Sequence, residues 1–580
     1  MPKVAILGGG VAGMSAAHEL IERGFTVDVY ERNPIYVGGK ARSVDVPGSA
    51  TGERLPLPGE HGFRFFPGFY KHITDTMQRT PLRSGGTVID NLAISERVMM
   101  ARFGKQPIIS LVNFPKSKKD LKVLFNALAH SDTGLTDKDV DTFAHKMWQL
   151  MTSCKERRQQ EYERISWWQY MEADSHCPGE GLCPYEEYFV GGLTHTLVAA
   201  QPKLMSTKTG GDILLQLIFL MLSPNKHADR VLSAPTNDAW LKPWYDYLVG
   251  AGVNYYHHHE ITGFDCDPTN RRIRKVMVKN LSTEEEIEVT ADYYISAMPV
   301  EAMARVLNDD MVKADATLDY LHQLKKDTNW MNGIQYYLNE DVKLTRGHVI
   351  FLDSPWAVTA ISQLQFWPDF DVSCYGNGEV KGILSVDVSD WFTKGLNGKM
   401  GCECTADEVV EEVWDQMERS LNKNGKVLDR SMRVTHSWLD DDIRKNLTGD
   451  RDEFMHLHEL KNAEPLLVNQ TNTWSLRPEA HCGIENLFLA SDYVRTHTDL
   501  ATMEGANEAA RRAVNAIIIK SGQKLPLCKV WDLHEPFVLA PLRWLDRRRF
   551  RRGEPWNENI PLIDKILHLI AHWRHRLTKS

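Results

Sequence analysis

A glycine-rich turn between a strand and a helix constrains the fold more than any other feature of the sequence. Lys3–Leu7 is a short apolar run typical of a buried parallel strand, and Gly8-Gly9-Gly10-Val11-Ala12-Gly13 follows at once as G-x-G-x-x-G. A segment of good helix formers comes next, and a second strand-like run ends in Glu31. This order of strand, turn, helix, strand and acid predicts a βαβ unit that binds the ADP part of a dinucleotide.

Each part of this unit has a mechanical reason to contact the cofactor. Gly8 permits the tight turn, Gly10 lets the backbone approach a pyrophosphate, and Gly13 lets the helix pack closely on the strand. The helix N-terminus directs free N–H groups and a partial positive charge at the phosphates. Glu31 can accept hydrogen bonds from ribose hydroxyls, and an acid there disfavours a 2′-phosphate. The predicted cofactor contacts in this unit are Gly8, Gly10, Ala12, Gly13, Glu31 and Arg32.

Two further blocks extend the predicted cofactor site. Gly38-Gly39-Lys40-Ala41-Arg42-Ser43 lets the backbone approach a bulky ligand and offers Arg42 as a fork for a phosphate. Later in the sequence, a strand-like run ends in Asp492, and a helix of small residues begins at Met503-Glu504-Gly505-Ala506. The predicted cofactor contacts in these blocks are Gly39, Lys40, Arg42, Asp492 and Met503.

With these blocks the chain resembles the flavin amine oxidase and phytoene desaturase group of FAD-dependent oxidoreductases, nearest to bacterial carotenoid- and squalene-type desaturases and dehydroxylases. That family joins the glycine motif and the acid to G-G-[RK]-x-x-S, and Ala291–Pro299 is similar to its A-D-x-V-V-x-A-x-P segment. The resemblance implies that Asp492 holds the ribityl chain or the pyrophosphate, and that the helix beginning near Met503 directs N–H groups at the flavin. Ser491 stands where the family usually has Gly. The implied cofactor is tightly but non-covalently bound FAD.

The order of the blocks predicts an α/β protein in which a Rossmann-type FAD-binding domain is interleaved with a mixed α+β substrate domain. The predicted limits are residues 1–80, 230–305 and 465–525 for the FAD-binding domain, 81–229 and 306–464 for the substrate domain, and 526–580 for a basic tail with an amphipathic C-terminal helix. Gly252–Tyr256 and Ile273–Val278 are predicted to be strands of a small hairpin layer.

The tail is predicted from its charge and its spacing of apolar residues. Arginines cluster around Trp544 and Phe550, and beyond Pro561 apolar residues that include Trp573 recur at helical spacing. A basic amphipathic helix with Trp on its apolar side suits a membrane surface. The alternative, a terminal helix docked on its own protein with arginines in solvent, stays open.

Composition limits the partners and the location. The formal net charge of −9 argues against nucleic acid as a partner, and nine cysteines without a C-x-x-C spacing predict free thiols in a reduced cytoplasmic protein. The first strand begins at Lys3, so no signal peptide is expected, and no run reaches the ~18 apolar residues that span a bilayer.

The longest run, Ile213–Leu222, is expected to be a buried core helix, with a wall of an apolar substrate channel as the alternative. We therefore predict a cytoplasmic protein that associates peripherally with the inner face of the membrane and binds a hydrophobic small molecule; the oligomeric state is not indicated.

Catalytic groups are predicted in Gly59–Tyr70, where the family places a strand that passes beside the flavin ring. Glu60, His61 and Arg64 are the charged or readily charged residues of this aromatic segment, and one of them is a candidate proton donor or acceptor. The alternative is that they neutralise each other or contact the cofactor. No metal is predicted, because successive strand residues in His257-His258-His259 point to opposite faces and at most two can converge.

Three functions are compatible with the sequence. The first is an oxidoreductase that desaturates a large apolar isoprenoid or polyene, or uses flavin for redox-neutral isomerisation or dehydroxylation. The second is an amine or amino-acid oxidase, for which Trp474 and Tyr493 are candidate aromatic walls. The third is a non-enzymatic prenyl or lipid binder of the same fold, which the two intact sets of FAD motifs disfavour.

Overall fold

The computed structural model of the protein describes residues 1–110, 132–177, 183–191, 200–221, 229–434, 436–447 and 458–558. The strands in these ranges are β1 (Lys3–Leu7), β2 (Thr26–Glu31), β3 (Ser43–Asp45), β4 (Pro58–Glu60), β5 (Leu92–Ser95), β6 (Arg97–Ala101), β7 (Ile108–Ser110), β8 (Asp229–Leu232), β9 (Asn254–His257), β10 (His259–Asp267), β11 (Arg272–Asn280), β12 (Glu286–Val289), β13 (Tyr293–Ser296), β14 (Thr328–Asn329), β15 (Asn332–Leu338), β16 (Gly347–Phe351), β17 (Val358–Ser362), β18 (Gly382–Val388), β19 (Trp438–Leu439), β20 (Ile443–Lys445), β21 (Leu460–Asn462), β22 (Leu466–Leu467) and β23 (Leu487–Leu489). The α-helices are α1 (Val11–Ile21), α2 (His72–Arg79), α3 (Asp137–Thr152), α4 (Lys155–Gln160), α5 (Trp167–Tyr170), α6 (Ala173–His176), α7 (Thr207–Met221), α8 (Lys242–Gly250), α9 (Val300–Val306), α10 (Asp309–Ala314), α11 (Tyr320–Leu324), α12 (Ala406–Leu421), α13 (Met503–Lys520) and α14 (Ala540–Phe550).

A five-stranded parallel sheet carries the glycine-rich unit. Its order is β23-β13-β1-β2-β9, and β1 pairs in parallel with both β2 and β13. Val4 to Leu7 are completely buried, as expected for a central strand covered on both faces. Helix α1 follows the turn at once and packs on α13, which comes from the other end of the chain. The sheet and its two helices confirm the predicted Rossmann-type fold.

The predicted hairpin layer is wrong in one of its two strands. β9 is an edge strand of the central sheet, paired in parallel with β2, and the antiparallel layer consists of β10, β11 and β12. The reason is that α8 directly precedes β9, and a strand that follows a crossover helix returns parallel to its sheet.

A second, seven-stranded mixed sheet has the order β19-β15-β18-β17-β16-β6-β7. Its strands β15 to β18 are buried along their whole length. Strand β8 begins at the predicted domain boundary near residue 230. It pairs with β5, which lies in the predicted substrate domain, so the two predicted domains share a small sheet there. The domain limits themselves stay a prediction.

The apolar run near Ile213 forms most of helix α7, which packs against α3. Its side chains from Ile213 to Leu215 and from Ile218 to Leu220 are buried, as expected for a core helix. Leu222, the end of the run, lies outside the described residues. Among the helices that the structure describes, none combines the length and the hydropathy needed to cross a bilayer.

The first part of the basic tail docks on the protein itself. Helix α14 packs on α3 and α4, and its Asp546 forms a buried ion pair with Arg157, with Nη2 of Arg157 2.9 Å from Oδ1 of Asp546. Asp546 also accepts a hydrogen bond from the N–H of Cys154 at 2.8 Å. The amphipathic pattern beyond Pro561 lies outside the described residues. Helix α14 is therefore docked on the protein, and both interpretations of the amphipathic segment beyond Pro561 stay predictions.

The expectation of free thiols throughout is wrong at one pair. Cys177 and Cys183 form a disulfide, whereas the other seven cysteines, all of which lie in the described ranges, form none. The two lie only six residues apart, a separation that carried no recognisable spacing signal, and folding brings their Cα atoms to 5.6 Å.

We expect Asp546→Ala to destabilise the contact between α14 and α4 strongly. The substitution leaves the fully buried guanidinium of Arg157 without its buried carboxylate, and breaking such a pair costs about 3 kcal/mol or more. Thermal unfolding and hydrogen exchange of α4 would measure the loss. Asp415→Ala is the control, because its partner Arg430 is more than half exposed and such pairs contribute at most about 1 kcal/mol. Equal losses in the two variants would contradict the assignment.

Candidate active site

Two glycine turns contact each other through the backbone at the edge of the central sheet. Gly8 has a φ of +109°, and a Cβ on Gly13 would lie 2.0 Å from the carbonyl oxygen of Gly8. In the second turn Gly39 has a φ of +57°, and its Cβ would lie 3.1 Å from Cα of Gly10. Side chains are therefore excluded at Gly13 and Gly39, and bare backbone lies beside the N-terminus of α1.

A cavity of about 360 Å³ lies against these turns. The predicted cofactor residues that line it are Gly8, Gly10, Ala12, Glu31, Arg32, Gly39, Lys40, Asp492 and Met503. Residues from both ends of the chain therefore meet at one cavity. Gly13 does not line it, because Gly13 packs beneath the turn against Gly8.

Glu31 is fixed on the first glycine turn. Its Oε2 accepts a hydrogen bond from the N–H of Gly9 and its Oε1 accepts one from the N–H of Asn33, both at 2.7 Å. Burial raises the pKa of Glu31 against the effect of these two hydrogen bonds. A carboxylate has about four acceptor positions, so Glu31 keeps capacity for ribose hydroxyls.

The two basic residues of the second turn have different surroundings. Nζ of Lys40 lies in the cavity wall, 3.1 Å from Oε1 of Glu301. Burial lowers the pKa of Lys40, but the carboxylates of Glu301 and Asp492 offset this and leave the pKa raised. Arg42 does not line the cavity, and its Nη2 donates to Oδ2 of Asp442 at 2.8 Å. The predicted phosphate contact of Arg42 is therefore corrected, because a buried guanidinium needs an anionic partner and Asp442 supplies it.

The N-terminus of α13 opens at the same cavity. Thr502 caps the helix by accepting the N–H of Gly505 at 3.1 Å, and both Thr502 and Met503 line the cavity. The next residue, Glu504, is buried, and its carboxylate accepts the backbone N–H groups at the start of α2. These bonds tie α13 to α2, so the first turn of α13 is held rigidly beside the cavity.

The three predicted catalytic residues are separated by the structure. His61 and Arg64 line the cavity, whereas Glu60 does not. The carboxylate of Glu60 accepts hydrogen bonds from the N–H and the hydroxyl of Thr236 at 2.8 and 2.6 Å. Burial raises the pKa of Glu60 to about 7. Glu60 therefore anchors the segment that presents His61 and Arg64.

His61 is held by two buried aspartates. Its Nδ1 lies 2.5 Å from Oδ2 of Asp440 and 3.3 Å from Oδ2 of Asp442. Burial lowers the pKa of His61, but the two aspartates raise it to about 9, so His61 is a cation at neutral pH. The ligand-type atoms of the three residues lie within 4.8 Å of one another, a spacing that a metal ion can use. Arg42 adds a second cation, so two positive charges already balance the two carboxylates.

Asp387 is a cavity residue that sequence reasoning missed. It lies on β18, is 4% exposed and lines the cavity with Arg64. Burial raises the pKa of Asp387 to about 7, against the opposing charges of Arg64 and His61. An acid inside the apolar strand Gly382–Val388 is the sequence signal that could have revealed it, because an acid in a buried strand needs a special reason.

The aromatic candidates for an amine oxidase site lie elsewhere. Neither Trp474 nor Tyr493 lines the cavity. The ring of Trp474 lies 3.9 Å from Nζ of Lys208, and Tyr493 is completely buried. Within the described residues Lys40 is the only lysine in the cavity wall, and Glu301 holds it.

Comparisons with known proteins agree with this site. The profile of flavin containing amine oxidoreductases matches residues 269–518, and that of NAD(P)-binding Rossmann-like domains matches residues 6–80. The zeta-carotene desaturase of Zea mays is 41% identical over 572 residues, which cover 90% of this chain and 84% of that protein. The probable zeta-carotene desaturase of Synechococcus elongatus is 22% identical over 544 residues, which cover 89% of this chain and 98% of that protein.

Two solved structures share the fold. Putrescine oxidase has a TM-score of 0.57 at 12% identity and covers 89% of this chain and 99% of its own. Cyclohexylamine oxidase from Brevibacterium oxydans has a TM-score of 0.56 at 11% identity and covers 90% of this chain and 100% of its own. The protein is therefore an FAD-dependent oxidoreductase. It belongs to the flavin-containing amine oxidoreductase family, in the superfamily of amine oxidases and phytoene desaturases.

The residues present fit FAD. The glycine turns and the α1 N-terminus form a cradle without side chains that would hold the pyrophosphate, and Glu31 would hold the adenosine ribose. Asp492 and the start of α13 would hold the remainder of the cofactor. When bound, FAD supplies a two-electron acceptor. His61 and Arg64 place two positive charges in the cavity wall, where they stabilise negative charge that develops there.

We expect Gly10→Val to give a folded protein that lacks flavin. A Cβ on Gly10 meets protein atoms only at 3.7 Å, so the chain tolerates it, but the side chain occupies the cradle that the pyrophosphate needs. The ratio of flavin to protein absorbance and the circular dichroism spectrum would measure the two effects. Gly250→Val is the control, because a Cβ there meets no atom within 4 Å. A yellow Gly10→Val protein would place the pyrophosphate elsewhere.

Proposed function

We propose that the protein desaturates a linear carotenoid polyene, removing two hydrogen atoms to extend the conjugated system. The matched proteins of Zea mays and Synechococcus elongatus are named as zeta-carotene desaturases, and the match covers most of both chains. The observation that carries the proposal is the apolar wall of the cofactor cavity. It includes Phe63, Phe65, Met331, Leu466, Leu467 and Val468. Such a wall suits a hydrocarbon, whose binding depends on apolar burial and shape.

The amine oxidase alternative has less support from the cavity. The solved neighbours that are amine oxidases are only 11–12% identical and share the fold alone. The aromatic candidates Trp474 and Tyr493 lie outside the cavity wall. Release of peroxide on incubation with primary amines or polyamines would favour the amine oxidase function instead.

An anaerobic single turnover tests the proposed function without knowledge of the natural electron acceptor. We expect zeta-carotene in liposomes to bleach the bound flavin while the polyene absorbance shifts to longer wavelength, with one flavin reduced for each double bond formed. Stopped-flow absorbance and product mass would follow both changes. A changed polyene with oxidised flavin throughout would indicate a redox-neutral reaction, and unchanged polyene would contradict the proposal.

We further propose that the protein takes this substrate from the inner face of the cytoplasmic membrane. Phe537 is 90% exposed and Trp544 is 52% exposed, and Arg548, Arg551 and Arg552 of the same stretch of sequence are also exposed. The guanidinium of Arg548 lies 4.8 Å from the centre of the Trp544 ring. Exposed aromatic groups and arginines make two contributions to the free energy of binding to an anionic bilayer. The aromatic groups insert among the lipids, and the arginines are attracted to the negative charge.

We expect the double variant Phe537→Asp, Trp544→Asp to bind anionic liposomes about tenfold or more weakly, because it loses the burial of two aromatic side chains. Flotation with liposomes would measure binding, and flavin content should not change. Leu447→Asp is the control, since Leu447 is an exposed apolar residue of another segment. Deletion of residues 559–580 tests the remainder of the tail in the same assay. Wild-type protein that never floats would contradict a membrane surface as partner.

A further inference from the structure

Asp387 is the only residue of β18 that lines the cofactor cavity, among the residues that the structure describes. The other residues of this strand pack within the second sheet, where the whole strand is buried. A fixed backbone therefore presents one carboxylate to the cavity from the side of the second sheet. It faces the cavity together with Phe63, Arg64 and Phe65 of the segment after β4.

One oxygen of this carboxylate is unsatisfied. Oδ1 of Asp387 is buried and has no hydrogen-bond partner among the described residues. Nearly all buried polar atoms of folded proteins are hydrogen-bonded, and an exception calls for a specific explanation. Because Asp387 is a residue of the cavity wall and its carboxylate is not fully hydrogen-bonded, this carboxylate can take up a proton released in the cavity.

The other carboxylates of the cavity wall are less available for this role. They are Glu31, Glu260, Glu301, Glu464 and Asp492. Backbone N–H groups hold Glu31, and Arg32 pairs with Glu464. Oε2 of Glu301 also lacks a hydrogen-bond partner, but the ammonium of Lys40 beside Oε1 favours the ionised form of Glu301. Asp492 belongs to the cofactor motif, and Glu260, on β10, is partly exposed to solvent. His61 is already protonated at neutral pH and cannot accept a proton.

The charges that face Asp387 only partly offset the effect of burial on its pKa. Burial raises its pKa, whereas Arg64 and His61 from the segment after β4 and His348 from β16 lower it, with a result of about 7. A base whose pKa lies near the working pH combines a useful fraction of the charged form with a useful affinity for the proton.

Desaturation of a C–C bond releases a proton into this cavity. One carbon loses a hydride, which carries two electrons to the bound FAD, and its neighbour loses a proton, whose bonding electrons form the new double bond. The substrate is oxidised, FAD is reduced and the proton needs an acceptor. We propose that the carboxylate of Asp387 accepts this proton, so that Asp387 is the catalytic base of the reaction. This inference rests on the proposed desaturation.

The test compares Asp387→Asn with Glu60→Gln in the anaerobic reaction with zeta-carotene. In the wild type, the rate of flavin reduction should rise as pH increases through about 7, because Asp387 must be ionised to accept a proton. In Asp387→Asn the rate should fall about 10²-fold or more and lose this pH dependence. Glu60→Gln is the matched control: Glu60 is equally buried with a pKa of about 7, but lies outside the cavity wall, so its variant should keep the pH dependence.

Two further measurements separate a catalytic from a structural role. Formate should partly restore flavin reduction in Asp387→Gly, because a small carboxylate can replace the missing one, and it should not help Glu60→Gly. Infrared difference spectra of the oxidised protein without substrate should show two carboxyl bands that titrate near pH 7, one that disappears in Asp387→Asn and one that disappears in Glu60→Gln. A flavin-loaded Asp387→Asn with wild-type rate and pH dependence would overturn the inference. Failure of the wild type to oxidise any polyene would instead overturn the proposed function, and absence of the Asp387 band would overturn the inference whatever the substrate.

Discussion

Backbone packs directly on backbone where the first glycine turn meets its neighbours, and the rest of the site depends on this contact. A Cβ on Gly8 would lie 3.0 Å from the backbone of Ala297, and one on Gly13 would lie 2.0 Å from the carbonyl oxygen of Gly8. The protein itself therefore requires glycine at both positions. Gly10 is different, because protein atoms leave space for a side chain there. The motif thus serves two purposes. Most of its glycines allow close packing within the protein, and Gly10 leaves space beside the turn for the pyrophosphate.

Positive charge near the cavity is largely paired with carboxylates of the protein. Lys40 pairs with Glu301, Arg32 with Glu464 and His61 with Asp440. These side chains are therefore positioned by the protein before any ligand arrives. Recognition of the pyrophosphate depends mainly on backbone N–H groups and on the N-terminus of α1, which are rigid and cost little reorganisation.

Local patterns in the sequence predict the cofactor half of the site well. Strand β1, helix α1 and strand β2 follow from an apolar run, a glycine turn and a terminal acid, all within a short segment. The same holds for Asp492 and the start of α13. The partners of Arg42, His61 and Asp387 could not be predicted, because they join distant segments. Arg42 and Asp442, for example, are 400 residues apart, and no local periodicity reports which buried charges will meet.

The order of strands in the central sheet has a consequence for how the protein is made. β1 can pair with β2 soon after both leave the ribosome, but its other neighbour, β13, and the next strand, β23, are synthesised much later. Until then one edge of β1 has unpaired backbone groups, which is a hazard for aggregation. Helix α13, which completes the cavity, emerges later still. The complete cofactor cavity can therefore form only after α13 has been synthesised, so the amino-terminal glycine unit waits for its partner through most of translation.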